Sequence, residues 1–116
     1  MRRDEVPLNL TIRQFYQAGR EPLGLEIETG LEFMDQPITE AALNRPGLAL
    51  AGFYQYFAQR RIQVLGLAEQ SYLKSLSPEE QVTRLSGMFK RHIPALVITR
   101  GRRATEHMQR LSGEFR

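Results

Sequence analysis

Apolar and polar positions alternate along this chain in two different rhythms. Leu10, Ile12, Phe15 and Tyr16 recur at helical spacing, predicting a short amphipathic helix from Thr11 to Ala18 that Gly19 stops. Leu25-Glu26-Ile27-Glu28 then alternates with period two and closes at Thr29-Gly30, the pattern of a strand with one wet face near a sheet edge. Between Phe33 and Leu43 the pattern is weaker and reads as a turn with a short strand at Pro37-Ile38-Thr39. Asn44-Arg45-Pro46-Gly47 is a turn, and the continuous apolar run Leu48 to Ala51 behind it predicts a strand buried on both faces and ending at Gly52.

Phe53, Tyr54, Tyr56 and Phe57 cluster as a short helix, and Ile62-Gln63-Val64-Leu65-Gly66 is a strand rich in branched residues. A helix carrying Tyr72, Leu73 and Leu76 follows. Ser77-Pro78-Glu79-Glu80 is a capping box with proline at the first helical position, and it opens a helix with Val82, Leu85 and Phe89 on one side. Ile93-Pro94 breaks that helix, Ala95 to Thr99 is the most hydrophobic strand, and a last helix runs from about Thr105 to Leu111. Strands alternating with helices predict an α/β fold, a three-layer α/β/α arrangement around a mostly parallel sheet of four to five strands. A helix after a buried strand normally returns the chain to the sheet, so the pattern predicts a sequence cut before its next strand, with one sheet edge uncovered.

Composition narrows the classes of function. The 116 residues suit one compact core, and 41% hydrophobic with 25% charged residues is the balance of a folded, soluble protein. No apolar run approaches the roughly 20 residues that cross a bilayer, and the two arginines at the N-terminus precede no apolar stretch, so neither membrane nor secretion signal is expected and a cytoplasmic location follows. The absence of cysteine removes disulfides, thiolate nucleophiles and cysteine-bound zinc. Charge is uneven: residues 1 to 83 carry 8 basic and 11 acidic side chains, residues 84 to 116 carry 8 and 2. A nucleic-acid surface would want interleaved aromatics or a reading motif beside Lys90, Arg91, Arg100, Arg102, Arg103 and Arg110, and none is present, so no nucleic acid is expected. The basic end reads as a solvated surface or a place for an anionic partner.

Three blocks, Asn44-Arg45-Pro46-Gly47-Leu48-Ala49-Leu50-Ala51-Gly52-Phe53, Arg60-Arg61-Ile62-Gln63-Val64-Leu65-Gly66 and Ile93-Pro94-Ala95-Leu96-Val97-Ile98-Thr99-Arg100-Gly101, together with Tyr56-Phe57, Glu69 and Ser71-Tyr72-Leu73, resemble the N-terminal half of the HPr kinase/phosphorylase family. The likeness spans roughly residues 9 to 105, and the run from Asn44 to Phe53 is its most specific part. The resemblance implies a domain similar to the N-terminal domain of the Mur ligases, occupying residues 1–116 and truncated before a C-terminal kinase domain. In this family the kinase half uses ATP and magnesium to phosphorylate a serine of the phosphocarrier HPr, and reverses that step by phosphorolysis in carbon catabolite control. HPr, the C-terminal kinase domain and a hexameric homo-oligomer are therefore the partners implied for the full-length protein, with a monomer or weak dimer expected of the isolated piece.

No cofactor and no catalytic residue are expected in the segment itself. A phosphate loop needs a lysine after a glycine-rich turn, whereas the lysines here are Lys74 and Lys90, and Phe53 stands where that lysine would follow Gly47 and Gly52. His92 reads as a helix-end residue, and His107 with Glu106 lacks a second ligand at metal spacing, so no metal site is expected. Any ligand should sit beyond the carboxyl ends of the strands. Thr99, Arg100 and Glu69 there, with Asn44 and Arg45, would suit a small polar or phosphorylated molecule, and would equally serve as strand-end hydroxyl, helix cap, turn former and surface salt bridge. Three functional classes stay open: a regulatory or assembly domain of a kinase, a stand-alone small-ligand sensor, and an interaction module using the Tyr/Phe cluster or the basic end.

Overall fold

The computed structural model describes residues 10–40, 42–99 and 102–114. The chain opens with β1 (Leu10–Thr11) and α1 (Ile12–Gly19). Thr11 caps this helix reciprocally: Gln14 N–H donates to its Oγ1 at 3.2 Å, and Thr11 N–H donates to Gln14 Oε1 at 2.9 Å. A single 3-10 turn at Leu31–Phe33 leads to β2 (Pro37–Ile38), which pairs antiparallel with β1, Leu10 opposite Ile38.

The second sheet is parallel. β3 (Leu43–Asn44) lies beside β4 (Ile62–Leu65), and β4 beside β5 (Leu96–Ile98), with Asn44 opposite Gln63 and Val64 opposite Val97. Helices make every crossover: α2 (Gly47–Leu50) between β3 and β4, and α3 (Leu67–Lys74) with α4 (Pro78–Phe89) between β4 and β5. After β5 the chain enters α5 (Glu106–Glu114). This is an α/β domain with a parallel sheet and helices packed on it, consistent with the α/β/α layering expected. Among the described residues the parallel sheet holds three strands rather than four or five, and two further strands form the separate antiparallel pair.

One buried cluster joins these elements. Leu50 from α2, Leu65 from β4, Leu73 from α3, Leu85, Met88 and Phe89 from α4, and Met108 and Leu111 from α5 are all buried, with Leu96 and Ile98 packed against them. Removing so much apolar surface from water is the main favourable term in folding such a chain.

Three elements differ from the pattern reading. Leu48 to Ala51 is helical, not a strand: Ala49 and Leu50 are buried whereas Leu48 is 71% exposed, a one-sided distribution that a strand's alternation cannot produce. Leucine and alanine are strong helix formers, and neither is β-branched. Gly52, at φ +105°, ends the helix in a conformation that suits glycine, and its N–H bonds Ala49 O at 2.9 Å. Phe53 to Phe57 makes turns instead of a helix, because the two rings are held elsewhere: Tyr54 stands edge-on to Phe57 at 5.8 Å, and the Arg91 guanidinium lies 3.6 Å over the Tyr54 ring. Leu25 to Glu28 keeps its expected side-chain alternation, Leu25 and Ile27 half-buried between exposed glutamates, yet joins no ladder. Its place is taken by polar ties: Glu28 accepts the Ala104 N–H at 2.6 Å and pairs with Arg103 at 3.3 Å.

The predicted start of α4 is present in half. Ser77 Oγ accepts the Glu80 N–H at 3.2 Å, while the Glu80 carboxylate turns forward to Arg84 at 3.6 Å rather than back to Ser77. Ser77→Ala should therefore lower stability by about 1 kcal/mol, readable as a shift of the urea midpoint. Burial raises the Tyr54 phenol above its ordinary value of 10.0, against the opposing pull of Arg91 and Arg84. The folded chain then holds this proton more tightly than the unfolded one, so its contribution is complete below about pH 10 and is lost as pH climbs through the raised value. Tyr54→Phe should flatten that alkaline fall in stability.

Candidate functional site

At the carboxyl ends of β4 and β5 an open cavity of about 700 Å³ is lined by Arg45, Val64, Gly66, Leu67, Ala68, Ser71 and Thr99. This is where an open parallel sheet presents diverging loops and helix N-termini. Arg45 follows β3, Gly66 and Glu69 open α3 after β4, and Thr99 follows β5, so the ends of three strands, joined by two crossovers, bring these residues together.

Arg45 and Glu69 form a forked pair, with Nε donating to Oε1 at 3.0 Å and Nη2 to Oε2 at 3.1 Å. The carboxylate is 7% exposed and the arginine side chain 60%, so one end is buried and the other wet. Glu69 Oε1 also accepts the Gly66 N–H at 2.7 Å, which satisfies the N-cap amide of α3 and sets the negative charge at the positive end of that helix. A β-carbon at Gly66 would stand 2.5 Å from Arg45 Nη2, so a side chain there would push the guanidinium aside. Among the described residues Arg45 Nη1 has no partner, and Arg45 lines the cavity.

Asn44 is turned away from that cavity, its Nδ2 donating to Gln63 Oε1 at 2.7 Å. The Thr99 hydroxyl donates to Leu65 O at 3.2 Å, the strand-end role. Arg100 lies outside the described residues. Of the five residues singled out in the sequence, Arg45, Glu69 and Thr99 thus meet at one site, and Asn44 belongs to a neighbouring network.

That network turns on Gln63, which the sequence reading passed over. It is fully buried in β4, accepts from Asn44 and donates to Ala58 O and Arg61 O, both at 2.8 Å. The signal was present, because an amide in the middle of Ile62-Gln63-Val64-Leu65 must find partners. Gln70 was missed as well: its Nε2 bridges Leu65 O at 2.9 Å and Thr99 O at 3.3 Å, tying the ends of two strands. No periodicity marks such a role.

His92 lies just past α4 with φ 57°, its N–H bonded to Phe89 O at 3.0 Å, a helix-terminating turn. No group of three His, Asp or Glu among the described residues is placed to hold a metal. None of the described helices is long and apolar enough to cross a membrane.

Comparison with known proteins agrees with this architecture. The family described as HPr Serine kinase N terminus matches residues 10–115. The HPr kinase/phosphorylase of Clostridium perfringens (strain SM101 / Type A) is 52% identical over 75 residues, which are 65% of this chain and 24% of that protein. That of Brevibacillus brevis is 39% identical over 84 residues, 72% of this chain and 27% of the relative, and that of Streptococcus salivarius 37% over 95 residues, 81% and 31%. The chain spans about a quarter to a third of the length of these curated relatives.

Proposed function

The chain belongs to the family of HPr serine kinase N-terminal domains, and from that membership we propose that it is the non-catalytic regulatory and assembly domain of a bifunctional HPr kinase/phosphorylase. The observation carrying this reading is the family match over residues 10–115, which falls on the N-terminal quarter to third of the relatives, together with a sequence in which no lysine follows a glycine-rich phosphate loop. ATP and magnesium then act in a kinase half downstream, HPr is that half's substrate, and the protein is cytoplasmic. Regulation by this domain requires no reacting group of its own, only a surface whose shape the kinase half can read.

The test replaces the matching N-terminal segment of the Streptococcus salivarius enzyme by this chain. The expected hybrid assembles to the size of the parent and phosphorylates HPr, while the 116-residue chain alone transfers no phosphate. Phosphorylation of HPr by the isolated chain would defeat the proposal.

A second reading, a small-anion sensor at the carboxyl ends of β4 and β5, is favoured by one feature. Among the described residues Arg45 Nη1 has no partner, and it stands at a cavity that also receives the first turn of α3. Ligands that bind only the folded chain raise its apparent stability. Phosphate, pyrophosphate, fructose bisphosphate, ATP or a uridine nucleotide should then raise the unfolding temperature, and Arg45→Gln should abolish the rise relative to its own ligand-free midpoint. If none of them moves the midpoint, the site is a structural clamp and the assembly reading stands alone.

A further inference from the structure

The stretch from Ala42 to Ala68 carries the arginines Arg45, Arg60 and Arg61 and neither an acidic residue nor a lysine. Four of the chain's ten aromatic residues lie within it, between Phe53 and Phe57. The fold divides these four rings. Tyr54 and Phe57 turn inward, Tyr54 beneath the Arg91 guanidinium and Phe57 onto the core cluster. Phe53 and Tyr56 turn outward, 49% and 83% exposed, and Leu48 joins them at 71%, its carbonyl accepting the Phe53 N–H at 2.9 Å. Packing of the core accounts for Ala49, Leu50 and Phe57 and leaves these three large apolar side chains in water.

Positive charge borders the same face. Gly52, beside Phe53, lies against the Arg84 guanidinium, where a β-carbon would stand 2.8 Å from Nη1. Arg84 Nε is buried without a hydrogen-bond partner among the described residues, and the ion pair of Arg84 with Glu80 is long, at 3.6 Å. Arg61 is paired with Glu40 at 3.1 Å, whereas Arg60 is exposed and makes no ion pair among the described residues.

The geometry points to a docking face for an acidic partner polypeptide, on which Leu48, Phe53 and Tyr56 meet apolar side chains while Arg60 and Arg84 meet carboxylates. Aromatic residues and arginine, with lysine and acids depleted, are the composition of an interface core. A second copy of the chain is disfavoured, because arginines would stand opposite arginines with no acid of this stretch between them. A small molecule would need a concave site, and none of the three apolar side chains lines either main cavity. The inference rests on the assembly reading, under which the domain acts through its surface.

The probe is the acetylated, amidated heptapeptide Asp-Phe-Asp-Leu-Phe-Asp-Leu, titrated into the isotope-labelled chain beside a twin with asparagine at every aspartate. The backbone signals of Leu48, Phe53 and Tyr56 should shift together, and the twin should bind at least about fivefold more weakly. Added salt should weaken the acidic peptide more than the twin. Leu48→Ser combined with Tyr56→Ser changes two exposed positions, so the unfolding midpoint should hold while peptide affinity falls at least about tenfold. Arg84→Gln should weaken the acidic peptide and spare the twin. No shift at millimolar peptide, equal binding of the twin, or full affinity in the double serine variant would each overturn the face. Adsorption to phosphatidylglycerol vesicles that the double serine variant loses, with no peptide bound, would assign it to a membrane instead. An assembled, active hybrid enzyme beside a failed titration would sink this face and leave the assembly reading standing.

Discussion

Replacing Gln63 by leucine will lower the stability of this chain by about 3 kcal/mol, although it places a larger apolar surface at a fully buried position. The glutamine amide accepts one hydrogen bond and donates two, at 2.7, 2.8 and 2.8 Å. Leucine would leave the Asn44 amide and the carbonyls of Ala58 and Arg61 without partners, each at about 1–3 kcal/mol. The added burial returns roughly 2 kcal/mol of that. The loss should read as a drop of roughly 10 °C in Tm. Gln63→Glu should be worse still, because it keeps an acceptor for Asn44 while setting a negative charge against two carbonyl oxygens. A neutral or stabilising Gln63→Leu would mean that the three groups find other partners, and that this network does not hold β3, β4 and the preceding turn in register.

The second large effect is expected at Glu69. Glu69→Ala removes the partner of the Gly66 amide, the favourable charge at the start of α3 and the fork to Arg45, for a loss of about 2 kcal/mol. The Arg45 share is modest because that side chain is 60% exposed and water screens the pair. Glu69→Gln keeps an acceptor for Gly66 and should lose only about 1 kcal/mol. A double-mutant cycle between Arg45→Ala and Glu69→Ala should give a coupling of about 1 kcal/mol that shrinks with added salt. A coupling near zero would show that the fork is incidental and that the capping bond alone matters.

Much of this site was legible in the chain. Glu69 and Arg45 were both singled out; a salt bridge was the alternative reading for Glu69, and its partner here is Arg45, which had been read as part of a turn. The physical basis is simple: strand ends in a parallel sheet converge on one side, so polar residues just past Asn44, Leu65 and Ile98 must meet. What was missed lies inside the strands. Gln63 sits at a position where pattern reasoning counts apolar neighbours and overlooks the one amide among them, and Gln70 acts through backbone carbonyls contributed by two different strands.

The separation between sequence and tertiary structure follows the range of the interactions involved. Local chemistry determined the α/β order of elements, the starts of α1 and α4, the branched strand at β4 and the absence of a phosphate loop, because caps, propensities and motifs act within a few residues. Tertiary packing decided the rest. Leu48 to Ala51 is apolar enough for either strand or helix, and became α2 because Ala49 and Leu50 bury a single face in the helical core. Leu25 to Glu28 has the alternation of a strand, but a strand exists only where a second edge lies within hydrogen-bonding distance, and only the folded chain sets which edges meet.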